Sequence, residues 1–251
     1  DKMKMDNFYQ EHSKKFKKYS WQSQGKLIKG ENPNFFKLLK KYSDKNLRAL
    51  DLGCGSGELT LKISPYFKEI IGIDPFKNYL KTAKQEKDTK NIKNVKFQVA
   101  DAKELPFKNN FFDIIYSSRG PLSADIDFMN EGYRVLKDNG LMIEETIGET
   151  DKIELKNIFN RGQNYPIKKA KLESVKSLLD QLDMNLIESQ YFLFYKIYPS
   201  IKEVVEILER APIIPNFNKT KDKLYLEDIN KKLNNNGIEL STHKLHWVAK
   251  K

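Results

Sequence analysis

The stretch Leu50-Asp51-Leu52-Gly53-Cys54-Gly55-Ser56-Gly57-Glu58-Leu59 constrains the fold more than any other part of the chain. Its apolar lead-in reads as a buried strand, its three glycines stand at alternate positions, and an amphipathic segment begins directly after them. A strand, a tight turn and a helix follow. Glycine permits positive φ and allows a ligand to rest directly on backbone N–H groups, so this turn predicts a docked ligand. A dinucleotide loop would place its third glycine three residues after the second. Gly53, Gly55 and Gly57 are each two apart, which departs from that pattern.

From Leu47 the sequence alternates strand and helix. Strands are expected at 47–52, 70–73, 95–99, 111–117 and 140–147, with helices at 57–66, 76–87, 123–137 and 151–159. Such alternation specifies the doubly wound α/β class, a mostly parallel sheet with helices on both faces. Ligands in such sheets bind at the carboxyl ends of the strands. The loops after Asp51, Ile73, Ala100 and Tyr116 all lie there.

Several further stretches then fall in order: Ile71-Gly72-Ile73-Asp74-Pro75, Val99-Ala100-Asp101-Ala102, the pair Leu105-Pro106-Phe107 and Phe112-Asp113-Ile114-Ile115, and Arg134-Val135-Leu136-Lys137-Asp138-Asn139-Gly140-Leu141. With Asp51-Leu52-Gly53-Cys54-Gly55-Ser56-Gly57 they make residues 45 to 147 resemble the class I methyltransferases that use S-adenosylmethionine. The resemblance implies a Rossmann-like, mostly parallel seven-stranded sheet. It also implies cofactor contacts from Asp51, Gly53, Cys54, Gly55, Gly57, Asp74, Pro75, Asp101, Ala102 and Ser117. In that family the glycine turn passes under the methionyl group and the acid matching Asp74 accepts from both ribose hydroxyls. The acid matching Asp101 accepts from the adenine amino group, and the N–H matching Ala102 donates to the ring. A carboxylate suits two vicinal hydroxyls because it offers two acceptor oxygens.

The remainder matches only in its order of elements. Residues 1–45 are expected to form a helical arm or lid, with Phe35, Leu38, Leu39 and Tyr42 at the spacing of a core-facing helix. Residues 46–251 form the methyltransferase domain, including a helical hairpin at 151–183, a strand at 186–197, a cap insertion at about 199–236 and a last strand at 238–249. Asn234-Asn235-Asn236-Gly237 is turn chemistry. Methyl transfer from an activated sulfonium requires alignment and exclusion of water more than a strong acid or base, so acceptor-side chemistry leaves little trace in sequence. Tyr9, Tyr19 and Arg119 are the catalytic candidates, with Trp21, Glu145 and Glu149 near the same region. Arg119 is read as a salt bridge to a neighbouring loop or as a contact to an acidic acceptor. His12 is expected at the surface, His243 and His246 as structural residues facing opposite ways, and Cys54 as a small packing residue.

Composition decides among partners. The net charge of +11 and pI near 9.3 invite a nucleic-acid reading. The only arginines are Arg48, Arg119, Arg134, Arg161 and Arg210, so the charge reads as a solvated lysine surface rather than a face that grips phosphates bidentately. Ser117-Ser118-Arg119-Gly120-Pro121 lacks the Pro-Pro-aromatic turn of base-amine methyltransferases, and Cys54 lies in the wrong loop for a cytosine C5 nucleophile. The expectation is methyl transfer from S-adenosylmethionine to a small molecule, with RNA methylation or a non-catalytic cofactor-binding scaffold as alternatives. One cysteine excludes an intramolecular disulfide, no run of 18 apolar residues suggests a membrane span, and the amino-terminal stretch has no secretory pattern. A cytoplasmic, metal-independent protein is expected.

Overall fold

The computed structural model describes residues 2–16, 25–231 and 237–251. Tyr19, Trp21 and the Asn234–Asn236 turn lie outside the described residues. The chain runs α1 (Lys2–Lys15), β1 (Lys26–Lys29), α2 (Phe35–Tyr42), β2 (Arg48–Leu52), α3 (Glu58–Ile63), β3 (Glu69–Asp74), α4 (Lys77–Thr89), β4 (Val95–Val99), β5 (Phe112–Ser118), α5 (Ile126–Val135) and β6 (Leu136–Ile147). It continues through α6 (Ile153–Phe159), α7 (Lys171–Gln181), β7 (Asn185–Tyr198), α8 (Ile201–Arg210), α9 (Lys223–Lys231) and β8 (Ile238–Lys250).

One sheet has the order β1-β7-β8-β6-β5-β2-β3-β4. Strands β2 to β6 are mutually parallel where they pair, and the β6–β8, β8–β7 and β7–β1 pairs are antiparallel. The doubly wound class is as expected from the alternation of elements. The sheet has eight strands rather than seven because Lys26–Lys29, within the stretch read as a helical arm, pairs with β7 from Lys26↔Ile197. Its four residues are all exposed, so β1 is held by its backbone ladder and carries no apolar signature.

Two apolar layers cover the sheet. One packs Leu50, Leu52, Ile115, Met129, Leu179 and Trp247 beneath α5 and α7. The other packs Leu39, Ala49, Ile70, Leu80, Ile143 and Val248 beneath α2, α3 and α4. Helix α2 begins where the Asn34 side chain accepts the Lys37 N–H at 3.0 Å, and it buries Phe35 and Leu39. Helix α5 is shorter at its start than the 123–137 pattern suggests, because Asp125 caps it by accepting the Asp127 N–H. Sequence periodicity reads through such a cap, since the apolar residues before it are buried in the same core.

The antiparallel end of the sheet extends beyond the parallel part. Strand β6 stops pairing with β8 at Ile147↔Lys244, while β7 and β8 continue together to Tyr198↔Ile238. With β1 alongside β7, this antiparallel ribbon stands up beside the carboxyl ends of the parallel strands. On its tip sits a third apolar cluster, with Leu155 and Phe159 of α6, Val204, Ile207 and Leu208 of α8, Ile213, Ile214, Ile229, Tyr198 and Leu240. The 199–231 segment therefore packs through a cluster it shares with α6 and the ribbon.

Candidate active site

A cleft of about 1500 Å³ lies over the carboxyl ends of the parallel strands. Its floor includes Gly53, Gly55, Ile73, Asp74, Pro75, Ala100, Asp101 and Ala102. Those glycines take φ of +74° and +53°, values that strain any residue with a Cβ. The turn does not, however, leave its glycine N–H groups to a ligand as the sequence reading expects. Gly53 and Cys54 both donate to the Ile73 carbonyl at 2.9 Å, and Gly57 donates to the Cys54 carbonyl at 2.9 Å. Gly55 donates to Asp74 Oδ2 at 3.0 Å. The glycines supply backbone shape and a bare Cα surface instead.

Asp74 is the joint between turn and cleft. Its Oδ1 accepts the Phe76 N–H at 2.9 Å while Oδ2 holds Gly55, and the residue is 6% exposed. Burial pushes its carboxyl up to about 6, against the lowering effect of those two N–H bonds. No cation is among the causes. A carboxylate so placed gains from donors that enter from the cleft.

The other predicted cofactor residues divide by position. Asp101 lies exposed in the loop after β4 with Oδ1 accepting the Lys103 N–H at 2.9 Å, and Ala102 beside it is buried at the cleft wall. Asp51, Cys54, Gly57 and Ser117 stand behind the cleft instead of lining it. Asp51 accepts the Thr60 hydroxyl at 2.6 Å and ties β2 to α3, and burial pushes its carboxyl up to about 7. Ser117 donates to the Leu52 carbonyl at 2.9 Å. A Cβ on Gly57, at φ +75°, would meet the Phe97 ring at 2.6 Å, so this glycine answers to packing. Cys54 is a packing residue as expected, with Sγ 3.0 Å from where a Gly72 Cβ would stand.

The roof joins distant parts of the chain. Tyr9 of α1 faces the Phe76 ring at 6.3 Å between centroids. His12 departs from the surface position expected: it is 3% exposed, with Nδ1 and the Tyr79 hydroxyl 2.6 Å apart. Burial, then Arg210 and Lys15, hold its imidazole down at about 4, so it is neutral near pH 7. Opposite, Pro212, Ile214, Phe217 and Asn218 of the insertion face the same cleft. Arg161 clamps their loop, with Nη2 at 2.8 and 2.9 Å from the Asp222 oxygens, while Asp222 Oδ2 also accepts the Asn218 N–H at 2.9 Å. Sequence reasoning missed this pair, and Phe128 on the cleft wall with Lys103 over its ring at 4.8 Å. Neither has a local pattern to find.

Arg119 also lines the cleft, just beyond β5. Its φ is +58° and its N–H donates to the Glu145 carbonyl at 2.7 Å. Glu145 is 4% exposed, with Oε2 at 2.9 Å from His246 Nε2 and 3.0 Å from Lys244 Nζ. Burial would raise its carboxyl, but His246, Lys244 and Arg119 together hold it at about 2. His243 lies on the other face, its Nδ1 2.8 Å from the Thr150 hydroxyl. The opposite facing expected of His243 and His246 is present, each with a polar partner.

A family model described as a methyltransferase domain matches residues 43–212. The uncharacterized methyltransferase YcgJ of Bacillus subtilis is 43% identical over 68 residues, 27% of this chain and 27% of YcgJ. Demethylmenaquinone methyltransferase of Staphylococcus aureus is 35% identical over 104 residues, 39% of this chain and 42% of that protein. The match thus spans between about a quarter and two fifths of these relatives' length. Among solved structures, the BH2331 protein of Bacillus halodurans superposes with a TM-score of 0.69 at 17% identity, covering 87% of this chain and 98% of that one. YcgJ superposes with a TM-score of 0.64 at 21% identity over 86% and 97%.

Proposed function

The chain belongs to the methyltransferase-domain family, and from that premise we propose that it moves the methyl group of S-adenosylmethionine to a small molecule held between α1 and the 211–220 loop. The observation that carries this reading is Asp74: a buried carboxylate with two backbone donors behind it and the cleft in front. Two vicinal ribose hydroxyls match the acceptor capacity it has left. Asp101 and Ala102, one strand further on, border the same space and suit a purine edge that both donates and accepts. Bare glycine backbone at Gly53 and Gly55 permits close approach of the methionyl portion.

When bound, the cofactor supplies a methyl group already activated on a sulfonium sulfur. The chain's residues then have three tasks. Asp74, Asp101 and the glycine turn orient the donor over the carboxyl ends of β2 and β3. Phe8, Phe16, Phe76 and Phe217 provide apolar cover that keeps water from the reacting line. The neutral His12 joins α1 to α4 through Tyr79 and so holds that cover in place. With the cofactor bound, these residues would hold an acceptor's nucleophilic atom in line with the methyl group that the cofactor would supply. Tyr9 and Arg119 are the described side chains proposed for the acceptor side.

Calorimetry with S-adenosylhomocysteine tests the donor site, and incubation with labelled cofactor and fractionated extract tests the acceptor. Label in the small-molecule fraction supports the reading. Label in RNA, with activity falling steeply as salt rises, would replace it with an RNA methyltransferase. Product binding without label in any fraction favours a cofactor-binding scaffold.

A further inference from the structure

Beside the cleft, the face of the β7–β8 ribbon gathers several positively charged side chains. Thr242 pairs with Phe194, and Lys244 pairs with Phe192. Directly opposed residues share a face, as do residues two apart, so Lys196 stands on that face as well. Lys152 reaches in from the start of α6, its Nζ 2.7 Å from Thr242 Oγ1. Lys196 Nζ lies 5.9 Å from the Phe194 ring centre. Arg119 comes to the same place from β5, next to Glu145. Four cations therefore meet here: Arg119, Lys152, Lys196 and Lys244.

Two of the lysines pair with acids. Lys244 is paired with Glu145 at 3.0 Å and Lys152 with Asp151 at 3.2 Å. His246 shares the same Glu145 oxygen as Lys244. The charges acting on Lys196 are Lys152, Lys244 and Arg119, which with burial hold its ammonium below the usual lysine range. Lys152 is buried and Lys196 and Lys244 are half-buried, while Arg119 is exposed; like charges in buried or half-buried places are costly unless an anion joins them.

Arg119 is the member that faces the cleft. It is held at a φ of +58° by its N–H bond to the Glu145 carbonyl, a conformation that bulky residues keep where the surrounding structure imposes it, often at functional sites. Its guanidinium presents the planar fork that matches carboxylate and phosphate oxygens. The donor floor lies on one side of it and the insertion on the other, which is where a methyl acceptor must sit.

We propose that the acceptor carries an anionic group, a carboxylate or a phosphate, that docks on Arg119 with Lys196 and Lys244 reinforcing the field behind it. This rests on the methyltransferase reading above and names the acceptor's class.

The test uses matched probes, titrated calorimetrically into the free protein and into protein saturated with S-adenosylhomocysteine: benzoate against benzamide, and phenyl phosphate against phenol. At least one anion should bind about tenfold more tightly than its neutral partner. Arg119→Gln should abolish that preference, and Lys196→Gln should reduce it about threefold, as expected of a screened charge behind the contact. Arg119→Lys, which keeps the charge, should retain part of it and controls for folding. Preference for benzoate assigns a carboxylate, and preference for phenyl phosphate assigns a phosphate. Equal binding within both pairs, no detectable binding of any probe, or a preference that survives Arg119→Gln overturns the proposal. Failure of S-adenosylhomocysteine to bind overturns the donor assignment instead, and the anion preference of the free protein is still read separately.

Discussion

The two sides of the cleft are built by different means. The proposed donor side is backbone: a glycine turn, strand ends in fixed register and one carboxylate that ties them together, all between Asp51 and Ala102. The proposed acceptor side is side chains brought together from α1, the loop after β5 and the insertion. A site made of backbone depends on a few residues at short spacing. A site made of side chains depends on where the chain returns, and its members can change separately.

That contrast can be broken first at Asp74. Asp74→Ala removes the acceptor for two donors from the ligand and also releases Gly55, so S-adenosylhomocysteine should bind about a thousandfold more weakly, a loss of about 4 kcal/mol. A calorimetric change of less than about threefold would mean that the donor side does not hinge on this carboxylate. Gly57→Val probes the backbone itself. It forces a β-branched residue into φ +75° and a Cβ against Phe97, so the protein should lose about 3 kcal/mol and melt roughly 5–15 °C lower, as circular dichroism would record.

A smaller effect comes from pH. Asp74 has its folded pKa raised to about 6, so its carboxylate is present above that value and is lost as pH falls through it. Product affinity should therefore be flat above pH 7 and fall about tenfold by pH 5. Because the raised value reflects a cost of ionising in the fold, the same group makes the free protein less stable as pH rises from about 4 to 6. Bound ligand should offset that cost. The smallest effect is expected from the acceptor side: Arg161→Ala unclamps the loop at Asn218 and should lower labelled product about fivefold, about 1 kcal/mol, with donor affinity unchanged. Equal losses of product and donor binding would show that the two sides act as one.

The same contrast explains what could be read from sequence. Gly53, Gly55, Asp74, Asp101 and Ala102 come to one cleft, and their order along alternating strands and helices was enough to place them. Four neighbours in the same motifs, Asp51, Cys54, Gly57 and Ser117, support that arrangement from behind. Spacing alone does not separate a residue that faces a ligand from one that shapes the turn, since both stand at the same strand ends. His12 shows the limit of reading a polar segment: its burial comes from Tyr79, 67 positions away. Strand β1 shows another, because an edge strand that buries no side chain leaves no alternation to detect.

The apolar cluster on the ribbon tip has an evolutionary consequence. Leu155, Val204, Ile207 and Ile229 pack with one another and with Tyr198 and Leu240, beyond the last pair of β8 with β6. Substitutions in that cluster are paid for locally, so the cap can drift, lengthen or be exchanged while the sheet proposed to carry the donor chemistry stays under its own selection. A scaffold divided in this way can acquire a new substrate without inventing a new reaction.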